Sequence, residues 1–171
     1  MDRDTLKAIQ APLKKRYREE PETAQVSLHS RGIVRIGEQT CEIETGSGKV
    51  VAGLHRAAGG DGSGACSGDM LLDALVACAG VTLGAVATAM GLKIEGASID
   101  AVGRVDFRGT MGISPEVAVG VEHIELHVNL SSQEPPEQLA KLMDLMEKYC
   151  VIYQTFQQAP IVETSWSIVE K

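Results

Sequence analysis

Aromatic and basic residues are both scarce in this sequence. Phe, Trp and Tyr together make up 4% of the 171 residues. Lysine and arginine number 16 against 23 aspartates and glutamates, so the net charge is −7 at pH 7. A protein that grips a phosphate backbone needs a basic surface, and one that binds single strands needs aromatic stacking platforms. The composition therefore argues against nucleic acid as a partner.

Several signatures of catalytic and cofactor sites are also missing. The sequence has no Gly-x-Ser-x-Gly elbow of a serine hydrolase and no Cys-x-x-Cys pair. The glycine-rich stretch 59–68 has Asp61 where a dinucleotide fingerprint needs glycine. A second candidate, Gly46-Ser47-Gly48-Lys49, has Ile43 where a P-loop needs glycine. His123 and His127 lie in a predicted strand, about 13 Å apart, without an obvious third ligand. We therefore expect a flexible connector, exposed histidines, and neither a metal nor a cofactor.

No segment has the pattern of a signal peptide or a well-anchored membrane helix. The N-terminus is charged and lacks an apolar stretch of the signal-peptide kind. The longest uncharged run, residues 74–92, is nearly long enough to cross a bilayer. It is rich in Ala, Gly and Thr, and it lacks aromatic or basic anchors at both ends. These features favour a helix buried inside a cytoplasmic protein, whose cysteines stay reduced.

The periodicity of apolar residues predicts one α+β domain. The chain shows no internal repeat, linker or low-complexity segment. A first helix is expected from Thr5 to Glu19, a long apolar central helix at 70–90 capped by Ser67, Gly68 or Asp69, and a third helix opening at 135–137. Strands are expected at 24–29, 33–36, 41–45, 98–108, 117–130 and 162–168. The order is one helix, three strands, a helix, two strands, a helix and a strand.

The four cysteines carry the most chemical information. Cys78 lies within the central helix, and Cys150 ends the apolar stripe of the third helix, so both sulfurs are expected to face the core. Each fits a small buried hydrophobic residue, and the two together fit a redox pair. Sequence spacing does not show whether their Cα atoms come within the roughly 7 Å that a disulfide needs. Cys41 and Cys66 are weaker candidates for the same role.

Two segments resemble the cysteine motifs of the OsmC/Ohr family of organic hydroperoxide reductases. They are SGDMLLDALVACAGVTL, residues 67–83, and EKYCVIYQT, residues 147–155. The resemblance covers roughly residues 24–169 and agrees with the family's β3-α-β2-α-β order. It implies an OsmC-like domain over residues 24–171, preceded by a helical arm at residues 1–23. It also implies an intertwined homodimer with its sites at the subunit interface.

The resemblance further implies a thiol-dependent peroxidase. By position, Cys78 matches the peroxidatic cysteine, whose thiolate attacks the hydroperoxide, and Cys150 matches the resolving cysteine that forms a disulfide with it. A dithiol such as a lipoyl protein would reduce that disulfide, with no metal, flavin or haem. The expected function is thus the reduction of organic hydroperoxides in an oxidative stress response.

The activating cation is less well defined by the resemblance. In relatives an arginine near the early strands lowers the thiol pKa. Arg31 is the best positional match, with Arg35 and Arg56 as alternatives. Ala57 stands where relatives carry the glutamate that holds this arginine, and Val151 replaces the proline common after the second cysteine.

Two other functions fit the same scaffold. One is a dimer that binds a lipid or another small molecule in an apolar pocket, with inert cysteines. The other is a structural dimer without any small-molecule site.

Overall fold

The computed structural model describes residues 1–169. Within them lie five α-helices: α1 (Arg3–Glu19), α2 (Ser67–Met90), α3 (Phe107–Thr110), α4 (Pro136–Tyr149) and α5 (Val151–Gln157). The strands are β1 (Arg31–Arg35), β2 (Thr40–Thr45), β3 (Gly48–Gly53), β4 (Ala65–Cys66), β5 (Ile94–Val105) and β6 (Val121–Ser132). The predicted α+β class is confirmed.

The strands form two separate sheets. The first has the order β1-β2-β3-β4, in which β1, β2 and β3 are an antiparallel meander and β4 runs parallel to β3. The second is a long antiparallel hairpin of β5 and β6, with Ile99 opposite Val128. Because successive side chains of a strand point to opposite faces, the apolar residues of β5 and β6 line one side of this hairpin.

The core lies where α2 and α4 pack together against that hairpin. From α2 it takes Ala79, Leu83 and Ala87, which recur every four residues and so share one face. From α4 and the residue after it come Leu142, Met146 and Cys150, each fully enclosed. The small side chains of α2 let the larger ones of α4 approach closely. This packing fixes the position of Cys150 relative to α2.

The ends of α2 have different physical origins. Its N-cap is Cys66, which makes no side-chain capping hydrogen bond, so the prediction of a cap at Ser67, Gly68 or Asp69 is wrong. The preceding strand β4 sets the start of the helix instead. At the other end Gly91 adopts a left-handed conformation with φ of 76°, and its N–H bonds to the carbonyls of Ala87 and Thr88. Glycine suits this position because it carries no Cβ.

The glycine-rich stretch 59–68 serves close packing. A Cβ at Gly60 would collide with the carbonyl group of Leu54, and one at Gly64 would come within 2.7 Å of the backbone nitrogen of Gly53. These contacts hold the stretch against the end of β3, where it leads into β4. The glycines are therefore explained by backbone approach within the fold.

Two of the predicted strands are wrong. Residues 25–30 form no regular structure after the 3₁₀ turn at Pro21–Ala24, and the third strand of the meander is β3. Residues 159–169 form neither helix nor strand, although 162–168 alternate as a strand should. Backbone N–H and C=O groups form a strand only beside another strand edge, which a local pattern does not supply. Within residues 1–169, no backbone hydrogen bond holds residues 159–169 to such an edge.

The chain exposes far more surface than its mass predicts. Its accessible area is 13046 Å², against about 8,100 Å² expected for a monomer of this mass. Ile161, Trp166 and Ile168 are each more than 80% exposed. By length and composition alone α2 would qualify as a membrane span, a test that core helices of soluble proteins also pass. One stripe of α2 is buried in the chain, and Val81 on another is 75% exposed.

Candidate active site

Cys78 and Cys150 meet in the fold. Cys78 projects from the middle of α2, which packs against both α4 and α5, and Cys150 lies at the junction of those two helices. The two thiols lie close enough for each to shift the pKa of the other. Cys150 is completely buried, as the apolar stripe of α4 predicted, and Cys78 is half-buried. Thus Cys78 keeps part of its surface accessible, whereas Cys150 has none.

A break in the helical backbone creates this junction. After α4 ends at Tyr149, Cys150 adopts an extended conformation with φ −73° and ψ 110°, and α5 begins at Val151. The Cys150 sulfur accepts a hydrogen bond from the backbone N–H of Tyr153 at 3.5 Å. The first N–H groups of a helix have no partner within it, and those of Val151 and Ile152 lie near enough to the sulfur of Cys78 to lower its pKa.

These contacts favour the thiolate of Cys78. Burial alone would raise the pKa of the Cys78 thiol, because it disfavours the charged form. The backbone N–H of Ile152 opposes that effect, followed by the Cys150 thiol, the N–H of Val151 and the Thr82 hydroxyl. The net result is a Cys78 pKa below its ordinary value. Thiolate is the nucleophilic form of cysteine, so Cys78 is the more reactive of the two.

Cys150 has the opposite tendency. Burial raises the pKa of its thiol, and the neighbouring sulfur of Cys78 adds to the rise. The opposite directions of the two pKa shifts mean that Cys78 loses its proton before Cys150 does. The pair thus combines an ionised, approachable sulfur with a protonated, enclosed one. This asymmetry suits attack by the first and resolution by the second.

The arginines occupy other places in the chain. Arg31 and Arg35 lie at the two ends of β1, exposed, opposite Glu44 and Thr40. Arg56 lies in the turn after β3, with its guanidinium beside Gly62. The groups that act most strongly on the Cys78 thiol are backbone, thiol and hydroxyl groups, and no arginine is among them.

The two remaining cysteines lie apart from the pair. Cys66 precedes α2 and is twelve residues from Cys78, which corresponds to about 18 Å of helix. Cys41 lies in β2, with its sulfur next to Gly32. All four cysteines are free thiols in this structure.

The two histidines of β6 flank a carboxylate. The Nε2 atoms of His123 and His127 lie 3.4 and 3.5 Å from the carboxylate of Glu125, which also pairs with Arg104 at 2.9 Å. The histidines and Arg104 are exposed on the polar face of the hairpin. Among the described residues, no group of three or more His, Cys, Asp or Glu side chains is arranged to hold a metal ion.

A cavity of about 220 Å³, lined mainly by apolar residues, lies about one helical turn from the cysteine pair, and we call it the Tyr153 cavity. It lies between α2, β6, α4 and α5. Its position is defined by residues one turn from the sulfurs, namely Leu75 before Cys78, and Met146 and Tyr153 on either side of Cys150. At its outer side lies Glu147, whose side chain is exposed. The cavity offers room for an apolar group about one helical turn from the cysteine pair.

Three contributors to the site were not identified from the sequence. Thr82 follows Cys78 by four residues, and that spacing places the two side chains on one helix face, so periodicity alone could have found it. The N–H groups of Val151 and Ile152 had no signal of their own. Their role depends on the break between α4 and α5 at Cys150.

Comparison with known proteins supports a family assignment. The family model described as "OsmC-like protein" matches residues 60–165. By sequence, no curated protein matches the chain.

Several solved structures share the fold. The OsmC-like protein from Mycoplasma pneumoniae has a TM-score of 0.65 at 17% identity, covering 79% of this chain and 90% of its own. An organic hydroperoxide resistance protein OsmC from Legionella pneumophila has a TM-score of 0.62 at 15% identity, covering 78% and 93%. An organic hydroperoxide resistance protein from Elizabethkingia anophelis has a TM-score of 0.60 at 15% identity, covering 79% of this chain and 91% of its own. At such identities the likeness establishes the fold alone.

Proposed function

Because the chain belongs to the family of OsmC-like proteins, we propose that it is a thiol-dependent peroxidase that reduces organic hydroperoxides to alcohols. One observation carries the proposal: the partly exposed Cys78, whose thiol pKa is lowered, lies beside the enclosed thiol of Cys150. Structural relatives that are organic hydroperoxide resistance proteins support the same chemistry.

The reaction proceeds in three balanced steps. The Cys78 thiolate attacks the terminal oxygen of the hydroperoxide, the O–O bond breaks, and the leaving alkoxide takes a proton to become the alcohol. Cys78 is then a sulfenic acid. The Cys150 thiol displaces its hydroxyl group as water and forms the Cys78–Cys150 disulfide. A dithiol such as a lipoyl group reduces that disulfide by exchange and becomes a disulfide itself.

The functional unit of the proposal is a homodimer in the cytoplasm, where thiols stay reduced. The excess of exposed surface over that of a monomer supports a second copy as its cover. We divide the chain into a helical arm, residues 1–23, and an OsmC-like domain, residues 24–171. The apolar stripe of the arm is partly exposed at Ile9, Leu13 and Tyr17, and in this proposal it contributes to the same interface.

Arg31 is assigned to the site of the partner subunit. It lies on a strand whose apolar neighbours Ile33 and Val34 are exposed, so a second copy that covers β1 would enclose Arg31 as well. A guanidinium near Cys78 would add a positive charge to the hydrogen bonds that already favour its thiolate.

Peptide mapping tests the central claim. Wild-type protein is treated with one equivalent of cumene hydroperoxide, quenched and digested without reductant. We expect the peptides of Cys78 and Cys150 to become linked, and turnover with a dithiol to disappear in Cys78→Ser. In Cys150→Ser the sulfenic acid should persist on Cys78 and react with dimedone.

Cys41 and Cys66 provide matched controls for these variants. Cys41→Ser and Cys66→Ser make the same chemical change elsewhere in the chain, and we expect both to turn over at the wild-type rate. Normal turnover in Cys78→Ser, or linkage of Cys78 to Cys41 or Cys66, would refute the proposal.

The role of Arg31 is tested with mixed dimers. Arg31→Ala chains, expected to be weakly active alone, and inactive Cys78→Ser chains are coexpressed with different tags and purified through both. If Arg31 serves the partner, one site of each mixed dimer has both residues, and about half of the wild-type activity returns. Arg35→Ala and Arg56→Ala chains are combined with Cys78→Ser chains in the same way. They show whether Arg35 or Arg56, instead of Arg31, is the arginine that activates Cys78 of the partner.

A binding protein with inert cysteines is the second candidate, and the Tyr153 cavity favours it. It predicts no sulfenic acid after peroxide treatment and a retained apolar ligand in native mass spectra. The peptide-mapping experiment separates the two candidates directly.

A further inference from the structure

The Tyr153 cavity has an asymmetric distribution of polarity. Its walls carry apolar side chains from four elements: Leu75, Leu126, Val128, Met143, Met146 and Phe156. Among the described residues that line it, Glu147 is the one that carries a charge. Since Glu147 is exposed, its carboxylate lies where the cavity meets solvent. A molecule that enters would place its apolar part between the walls and its outer end near a negative charge.

Tyr153 holds that carboxylate in place. Burial raises the pKa of the Tyr153 hydroxyl, and the negative charge of Glu147 raises it further. The hydroxyl therefore stays protonated and lies close to the Glu147 side chain. The backbone carbonyl of Glu147 is held as well, because it accepts a hydrogen bond from the Gln154 side chain at 2.9 Å. The contacts that Tyr153 and Gln154 of α5 make with Glu147 thus hold the last turn of α4 beside the cavity.

The cavity is connected to the cysteine pair through its inner wall. Met146 precedes Cys150 by one turn of α4, and the backbone N–H of Tyr153 bonds the Cys150 sulfur. Leu75 precedes Cys78 by one turn of α2. At about 30 Å³ for a group the size of a water molecule, the volume accommodates roughly seven such groups. That is the size of a short alkyl chain or one substituted aromatic ring.

We propose that the Tyr153 cavity binds the organic group of the hydroperoxide, and that Glu147 selects uncharged alkyl and aryl groups over those that end in a carboxylate. This inference rests on the proposed peroxidase function and adds the substrate class. The apolar walls supply most of the affinity, since they remove the organic group from water. Glu147 supplies discrimination, because two like charges at one cavity opening repel each other.

A matched pair of substrates tests this selection. One is cumene hydroperoxide with a para-carboxylate on its ring, and the other is the methyl ester of the same compound. Wild-type protein should reduce the ester with the higher kcat/KM. In Glu147→Gln the advantage of the ester should shrink about two- to fivefold, the size expected for one solvent-screened charge pair. Tyr153→Phe should shrink it in the same direction, because the carboxylate is then no longer held.

Glu137→Gln is the control for charge. It removes the same charge from an exposed position in the first turn of α4, about 15 Å along the helix from Glu147. We expect it to leave the ratio of the two substrates at the wild-type value. An unchanged ratio in Glu147→Gln, or an equal change in Glu137→Gln, would overturn the inference.

Binding to the unreactive protein separates this inference from the proposed function. In Cys78→Ser, titration with the two corresponding alcohols is followed through the backbone amide NMR signals of Tyr153 and Gln157. The ester alcohol should shift both signals and bind more tightly than the carboxylate alcohol. If neither peroxide is turned over by wild type, the peroxidase proposal fails. The titration still shows whether the cavity binds the organic group and prefers the uncharged one. Shifts that spare both residues would contradict the cavity as the binding site.

Discussion

The exposed face of α2 provides the sharpest test of the assembly. Ala74, Ala77, Val81 and Gly84 follow one another at helical spacing, all apolar or small and all exposed in the single chain. The chain exposes about 4,900 Å² more than expected for its mass. Obligate homodimers bury areas of this order between their subunits. We therefore expect a mass of about 36 kDa in solution, twice that of the 18.2 kDa chain.

Val81→Glu should dissociate this dimer. An unpaired carboxylate in an apolar interface costs about 3 kcal/mol, and twofold symmetry introduces it twice, so the dimer loses about 6 kcal/mol. That free energy corresponds to a dissociation constant raised about 10⁴-fold. Sedimentation equilibrium over a range of concentrations measures the change.

Gln138→Glu is the matched control, because it adds the same charge at an exposed position of α4. It should leave the mass at the dimer value. A wild-type protein that sediments as a monomer at all concentrations would refute the reasoning. So would a Val81→Glu protein with unchanged dissociation.

Three further predictions follow from particular side chains. Leu142→Ala should destabilise the fold by about 2 to 5 kcal/mol in urea unfolding, because Leu142 is fully buried, whereas Lys141→Ala on the exposed side should change it by less than about 0.5 kcal/mol. The hydrogen bonds from Arg108 lower the pKa of Asp106 to about 2 from 3.8, so its stabilising contribution is complete above pH 4 and is lost as the pH falls toward 2. In Asp106→Asn that acid-dependent part of the urea midpoint should vanish, and a wild-type pH profile would contradict the assignment. Thr82→Val removes a hydrogen bond to the Cys78 sulfur, so the pKa of Cys78 should rise, and the pH profile of its alkylation by iodoacetamide should move to higher pH. A shift to lower pH would show that the Thr82 hydroxyl disfavours the thiolate.

Regular patterns along the chain were sufficient for α1, α2, α4 and the long hairpin, whereas the short helices α3 and α5 were not predicted. The stripe that ends at Cys150 predicted both α4 and the burial of that sulfur, because helical periodicity expresses which side faces the core. The alternation in β5 and β6 predicted strands, although the structure places their bounds two to four residues from the expected ones. Local periodicity identifies such elements well and their ends poorly.

Pairing between strands that are distant in the sequence determined the elements that periodicity did not predict correctly. Residues 162–168 alternate like a strand, but a strand also needs a neighbouring edge, and no residue pattern indicates whether one is present. The short strand β4 exists because it lies beside β3, and two residues carry too little pattern to predict it.

For the candidate site as well, some properties follow from the sequence and others only from the tertiary structure. The sequence alone determined which residues were candidates, because cysteine in an apolar helix has few roles, and two such cysteines suggest a pair. Only the tertiary structure decided that Cys78 and Cys150 touch, that the backbone N–H groups after Cys150 point at Cys78, and that one sulfur is the more acidic. A thiol pKa depends on burial and on hydrogen-bond donors within a few ångströms. Those neighbours come from parts of the chain 72 residues apart, and the packing of α2 on α4 and α5 brings them together.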